Sequence, residues 1–167
     1  MVRADKTKAV SLLRDVVKKD SDHVDAYLQL GNILRDSNPQ QAVKIHQTLT
    51  VRSNLSIEIQ EDIHKALALD YKTLNNQVRA RKEAEQILRL NKHSQWAVEF
   101  LLSLSVQEKN WDQAADRARQ LQKLTGNKNP NELTIYTIYK GLEKMKQDKK
   151  NEAKSFFEKA IKQAPEL

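Results

Sequence analysis

The chain has 167 residues, of which 39% are hydrophobic and 31% charged, and its formal net charge is +7. This length suits one compact domain or a short repeat array, and the low content of Gly and Pro argues against turn-rich β architectures. The absence of Cys excludes disulfides and thiolate metal sites. The longest apolar stretch, 96–106, is shorter than the roughly 20 residues of a membrane span.

The basic residues are spread over the whole chain and interspersed with acidic ones, which is typical of solvated helix surface. We therefore expect no nucleic-acid ligand. The N-terminus lacks the apolar segment of a signal peptide. The absence of Cys fits a reducing compartment.

The first predicted helix, 6–19, carries Ala9, Leu12, Leu13, Val16 and Val17 on one face. This i, i+3, i+4, i+7 spacing gives an amphipathic helix with one apolar stripe. We interpret it as the second helix of a repeat whose first helix would lie upstream, so that the natural protein would be longer. We further predict that a second copy covers the stripe and forms a homodimer.

Four helix pairs follow, predicted at 23–52, 57–90, 95–124 and 132–163. Alanines at positions 9, 42, 80, 114 and 153 open the second helices, at intervals of 33, 38, 34 and 39 residues. A period near 34 residues is typical of a helical repeat, and insertions between repeats form loops. The two longer intervals contain Asn, Ser, Gly and Pro near 52–56 and 125–131, which we predict to be those loops.

Capping signals agree with these boundaries. Asn38 and Asn129 each precede a proline, as an N-cap precedes Pro at the first helical position. Ser56, Ser94 and Asn110 are further N-cap candidates, and Pro165 is expected to end the last helix. The predicted helices are 6–19, 23–36, 39–52, 57–74, 78–90, 95–108, 111–124, 132–147 and 150–163.

The pattern of Gly141, Ala153, Phe157, Ala160 and Pro165 resembles the tetratricopeptide repeat. That resemblance covers nearly the whole chain. It implies an all-α solenoid, a right-handed superhelix of about nine helices in antiparallel pairs, forming a single array over 1–167 that acts as a protein–protein interaction scaffold.

A sharper resemblance lies in the segments LGNILR at 30–35, AVKIHQTL at 42–49 and LALDY at 67–71. They are similar to the corresponding motifs of the lipopolysaccharide assembly protein B (LapB, or YciM) family. The resemblance implies an adaptor that works with a membrane AAA+ protease and a lipid A enzyme. It also implies a cytoplasmic location of the repeats, with the full-length protein tethered to the inner membrane. The family's transmembrane helix and four-cysteine zinc domain have no counterpart in this sequence.

No residue pattern indicates catalysis. The four histidines form no metal-binding motif, no serine lies in a nucleophile elbow, and no phosphate-binding loop is present. His46 takes the packing position that Phe157 occupies in the last repeat, so we interpret it as an interface residue. We predict a non-enzymatic chain with no cofactor and no metal.

The first helix of each pair is expected to line the concave groove of the solenoid, where a protein or peptide ligand would bind. The predicted contact residues are Asn32, Arg35, Lys65, Lys72, Trp96, Ser103, Ile138, Leu142 and Met145. Two alternatives remain open. Asn32 could instead serve a structural role, and Ile135, Ile138, Leu142 and Met145 could belong to the core.

Two other functions also remain open from the sequence. One is a generic tetratricopeptide module of another bacterial assembly or chaperone complex. The other, which the net charge motivates, is an RNA-binding helical solenoid. The scattered basic residues and the lack of a repeated base-reading pair weaken the second.

Overall fold

The computed structural model describes residues 2–127 and 129–164. These ranges contain nine α-helices and no β-strand. The helices are α1 Val2–Lys19, α2 Val24–Leu34, α3 Pro39–Thr50, α4 Ile57–Thr73, α5 Gln77–Leu90, α6 Gln95–Gln107, α7 Trp111–Thr125, α8 Pro130–Lys146 and α9 Lys150–Gln163.

The predicted fold class is confirmed, and each predicted helix is present with small shifts at its ends. The largest shift is at α1, which begins at Val2 instead of residue 6. At its C-terminus α2 stops two residues early because the amides of Ser37 and Asn38 both donate to the carbonyl oxygen of Leu34. Pro165, expected to end the last helix, lies outside the described residues.

Side-chain caps explain most helix starts. The predicted caps Asn38, Ser56, Asn110 and Asn129 each accept a hydrogen bond from a first-turn amide, which satisfies a donor that the helix leaves unpaired. Ser94 occupies the cap position of α6 without such a bond.

Three helix pairs turn in the same way. Asn75, Lys109 and Asp148 have φ values of 55°, 56° and 57°. A left-handed residue just after a helix lets the chain reverse tightly while the last carbonyls remain bonded. These turns close the pairs α4–α5, α6–α7 and α8–α9.

The chain divides into two compact units, Met1–Lys92 and His93–Leu167, which we call unit 1 and unit 2. In unit 1, successive helices pack from α1 to α5. Leu30 and Leu34 form a cluster with Ala42, and the partly buried Val10, Leu13 and Val17 of α1, together with Ile45, pack against it. Part of the α1 stripe therefore lies against α2. The homodimer through α1 stays a prediction.

In unit 2, α6 packs on α7, α7 on α8, and α8 on α9. Ala114 and Ala118 of α7 form a buried cluster with Tyr136 of α8. Nearby, the rings of Trp111 and Tyr139 stack with centroids 4.7 Å apart. Burial raises the pKa of Tyr136, with smaller contributions from Glu132 and Tyr139.

Of the helices in the described ranges, none combines the length and apolar character that spanning a bilayer requires.

Both units contain the same close helix contact. The His46 ring of α3 lies directly against Gly31 of α2, and the Phe157 ring of α9 lies against Gly141 of α8 in the same way. A Cβ atom at either glycine would overlap the ring. The close approach of the two helices therefore requires glycine at both positions.

We expect Gly31→Ala to destabilise unit 1 by about 1–3 kcal/mol, the usual cost of overpacking a core. The fully buried His46 ring cannot move aside. This cost outweighs the helix-propensity gain of about 1 kcal/mol that Ala normally brings. Urea unfolding followed by circular dichroism measures the change. Gln29→Ala on the exposed face of the same helix serves as the control, and a Gly31→Ala protein as stable as wild type would refute the close-contact argument.

Candidate functional site

The most completely enclosed charge in unit 1 is the carboxylate of Asp70 on α4. Its side chain is 0% exposed. His46 Nδ1 on α3 donates to Asp70 Oδ2 at 2.5 Å, and Arg35 Nε on α2 donates to Asp70 Oδ1 at 2.6 Å. One carboxylate thus joins three helices.

Further hydrogen bonds extend this arrangement. Arg35 Nη2 donates to Asn32 Oδ1 at 2.6 Å and approaches the carbonyl oxygen of Ala66 at 3.4 Å. His46 Nε2 lies 3.2 Å from the carbonyl oxygen of Leu28. We call the side chains of Asn32, Arg35, His46 and Asp70 the α2–α4 network.

Burying an ionised carboxylate is costly unless it is paired and hydrogen-bonded. Both oxygens of Asp70 have such partners. The Arg35 side chain is 17% exposed, so it carries the network from the interior to the surface of α2. The geometry fixes the relative position of α2, α3 and α4.

A second polar contact lies next to this network. Gln47 Nε2 donates to the hydroxyl of Tyr71 at 2.9 Å, and the Arg79 guanidinium lies 5.5 Å from the centroid of the Tyr71 ring. The segments LGNILR, IHQ and DY that carry the sequence resemblance therefore meet in one interhelical cluster. Their spacing is explained by packing inside unit 1.

The predicted contact residues of unit 1 fall into two groups. Asn32 and Arg35 belong to the α2–α4 network, which supports the structural alternative for Asn32. Lys65 donates to Asp62 Oδ1 at 3.1 Å on the same helix, and Lys72 is exposed in the last turn of α4. Whether any of them contacts a partner stays a prediction.

Two predicted contacts of unit 2 lie on α6. The Trp96 ring stacks on Phe100 with centroids 4.9 Å apart. The Ser103 hydroxyl donates to the carbonyl oxygen of Phe100 at 2.7 Å, so it is already satisfied within its own helix.

The remaining predicted contacts, Ile138, Leu142 and Met145, lie on α8. Together with Ile135 of the same helix we call them the α8 stripe. Leu142 is 43% and Met145 54% exposed, and Ile135 is also exposed. Ile138 is half-buried next to Phe157. Three of the four residues are therefore at the surface, against the alternative that the stripe is core.

The lysines beside the stripe are engaged in ion pairs. Lys140 pairs with Asp112, and Lys144 Nζ lies 2.6 Å from Glu152 Oε2. The hydrogen bond from Lys144 lowers the pKa of the Glu152 carboxyl. These lysines reach past the apolar residues to acids on neighbouring helices, so the stripe stays apolar.

Sequence reasoning did not single out Asp70 as part of a site. The available signal was its place in the LALDY segment, on the face of α4 that meets α3.

His64 had no role assigned from the sequence. In the structure its Nδ1 atom lies 2.7 Å from Glu83 Oε2. In the part of the chain that the structure describes, no three acidic, histidine or cysteine side chains are grouped as metal ligands would be.

We expect Asp70→Asn to lower the free energy of unfolding of unit 1 by about 2–4 kcal/mol, because it leaves two donors facing an uncharged amide. Asp62→Asn, which removes the exposed pair with Lys65, should cost less than about 0.5 kcal/mol. Thermal and urea unfolding measure both. Equal effects of the two substitutions would contradict the special role of Asp70.

Comparison with family models gives no match. Among curated proteins, lipopolysaccharide assembly protein B of Escherichia coli K12 is 29% identical over 153 residues. The O157:H7 protein matches equally. The match covers 91% of this chain but only 39% of that protein, so the chain spans well under half the length of the curated relatives it matches.

Solved structures resemble the whole chain at low sequence identity. MamA is 19% identical, with a TM-score of 0.63 over 97% of this chain and 84% of MamA. YrrB, a TPR protein with an unusual peptide-binding site, is 14% identical, with a TM-score of 0.60 over 99% of this chain and 81% of YrrB. A tetratricopeptide repeat protein from Parabacteroides merdae is 20% identical, with a TM-score of 0.65 over 98% of this chain and 62% of that protein. The chain has the fold of solved tetratricopeptide repeat proteins, and its sequence resembles lipopolysaccharide assembly protein B.

Proposed function

We propose that this chain is a non-catalytic adaptor that holds an apolar segment of another protein against the α8 stripe. The coarser part, a protein-interaction scaffold of the tetratricopeptide type, is supported by the fold and by the relatives. Such folds present helix faces to their ligands, and the function depends on the residues of those faces.

The observation that carries the proposal is the exposed α8 stripe. Its members are spaced at i, i+3, i+7 and i+10, which places them on one face of the helix. They extend over about 15 Å, at about 1.5 Å per residue. Contiguous apolar surface of this kind is uncommon in a soluble protein unless it serves binding.

The chemistry of the stripe defines the ligand. Isoleucine, leucine and methionine offer no directed hydrogen bonds, so the partner segment must supply aliphatic or aromatic anchors. The flexible Met145 side chain can adapt to anchors of different shape. An extended or helical segment with two or three apolar side chains matches this surface.

The finer proposal concerns the biological setting. The similarity to lipopolysaccharide assembly protein B supports a role in regulating lipopolysaccharide synthesis, with a membrane AAA+ protease and a lipid A enzyme as partners. A cytoplasmic location, with the full-length protein tethered to the inner membrane, belongs to the same proposal. The alternative is a tetratricopeptide module of another bacterial assembly or chaperone complex.

We expect the double variant Ile135→Gln, Leu142→Gln to lose partner binding by at least about tenfold, because exposed anchors are worth about 1 kcal/mol or more each when buried at an interface. Its stability should stay near wild type, since both side chains are at the surface. The measurement is affinity capture from a Gram-negative lysate with membranes included, followed by titration of the captured protein.

Val78→Gln provides the matched control, because Val78 is an 81% exposed aliphatic residue on α5. Enrichment of a membrane protease or lipid A enzyme that the double variant loses would support both parts of the proposal. If a different protein is captured and the double variant loses it, the adaptor proposal stands. That result would favour the alternative, a module of another bacterial assembly or chaperone complex. A partner that the double variant retains would refute the α8 stripe as the binding surface. Substitutions at Asn32 or Arg35 are poor tests, because they also disturb the α2–α4 network.

A further inference from the structure

An apolar surface that adjoins the α8 stripe lies on one face of α9, which we call the outer face of α9. Phe157 is half-buried there and Ile161 is exposed, while Ala153, Ala160 and Ala164 beside them are buried. Two shallow concavities meet there and share Phe157 and Ile161, with Met145 and Ile138 of α8 at their borders. Ile161 is 65% exposed. The outer face of α9 therefore borders the α8 stripe and adds Phe157 and Ile161 as candidate contacts.

The same face of α3 shows what kind of element fits here. Counting from Ala42 and Ala153, the opening alanines of α3 and α9, His46 corresponds to Phe157 and Leu49 to Ala160. Both α3 residues are fully buried, and the adjacent α4 packs on this helix. A helix is therefore the element that covers this face in the chain's own unit 1.

At one position the outer face of α9 is more apolar than the corresponding faces of α3 and α7. Eight residues after the opening alanine, α3 has Thr50 and α7 has Gln122, whose side-chain amide donates to the Asn129 carbonyl and to Glu132. At the same position α9 has Ile161. Ala153 and Ala160 are buried, while Phe157 and Ile161, four residues apart, form a ridge that can enter the groove of a partner helix.

The lysines near the outer face of α9 indicate the charge of a partner helix. Residues 144–154 contain five lysines against Asp148 and Glu152. Two of these lysines line the concavity. Lys150 is 3.5 Å from Asp148 and Lys154 is 3.9 Å from Glu158. Such exposed contacts contribute little, so both cations can turn to a partner.

A second copy of this chain is disfavoured as the occupant. Helix α9 carries four lysines against two glutamates, so two such faces would bring like charges together. An acidic partner would instead be attracted to the lysine-rich end of α9.

We propose that the outer face of α9 binds an amphipathic helix of another protein, with an aliphatic ridge and acidic residues near one end. The apolar ridge enters the space beside Phe157 and Ile161, and the acidic end lies against Lys150 and Lys154. This ligand differs in charge from the one proposed for the α8 stripe, and the two surfaces border each other at Ile138 and Met145.

The probe is a fluorescent, acetylated peptide of residues 56–74, the sequence that covers α3 in unit 1. It carries Glu58, Glu61, Asp62 and Asp70 against Lys65 and Lys72, with most acids near its N-terminus. We expect saturable binding to the full chain, measured by fluorescence anisotropy. Added salt should weaken binding, because it screens the lysines.

Ile161→Gln should weaken peptide binding about fivefold, the scale expected for burying the exposed part of one aliphatic side chain. Lys150→Gln with Lys154→Gln should reduce the salt dependence. Val78→Gln, equally apolar and remote in sequence, should change neither. Leu142→Gln should leave this binding intact even where it abolishes capture at the α8 stripe, so the two proposals fail separately.

Three results would overturn the inference. One is the absence of saturable binding up to about 1 mM peptide, where the free energy of association is only about 4 kcal/mol. Another is an affinity that Ile161→Gln leaves unchanged. The third is a dimer in sedimentation velocity that Ile161→Gln converts to monomer, since that would make a second copy the occupant.

Discussion

The buried ion pairing of Asp70 determines how unit 1 is built. A fully enclosed carboxylate requires partners on both oxygens, and it finds them on two different helices, His46 of α3 and Arg35 of α2. The Gly31 contact follows from this, because the His46 ring can reach Asp70 only where α2 has no side chain in its path. The spacing of the segments that carry the sequence resemblance is therefore explained by packing in the interior of unit 1.

Unit 2 shows the same helix contact with different chemistry. Phe157 takes the place of His46 and Gly141 that of Gly31, but the α9 face beyond the ring is apolar and half open. Phe157 needs no ionic partner. The surface beside it on α9 can therefore remain apolar. The exposed apolar residues of α8 and α9, in contrast to the enclosed polar network of unit 1, are the ones on which our binding proposals rest.

The helices and their order could be predicted from sequence because each has a clear apolar stripe and most have an Asn or Ser cap. The role of the polar residues in the predicted groove could not be predicted from the sequence. Position on the helix placed Asn32 and Arg35 in the predicted groove. It could not show that Arg35 folds back toward Asp70, since that contact spans 35 residues of sequence. The exposure of Leu142 and Met145 could not be predicted either, because it depends on which other helices pack against α8.

The coupling energy between Arg35 and Asp70, from a double-mutant cycle of Arg35→Met and Asp70→Asn, tests this account most directly. The account predicts a favourable coupling above about 1.5 kcal/mol, because the pair is desolvated and hydrogen-bonded. The same cycle on Lys65 and Asp62 should give less than about 0.5 kcal/mol, since that pair is exposed. Equal coupling in both cycles would contradict the claim that the α2–α4 network holds unit 1 together.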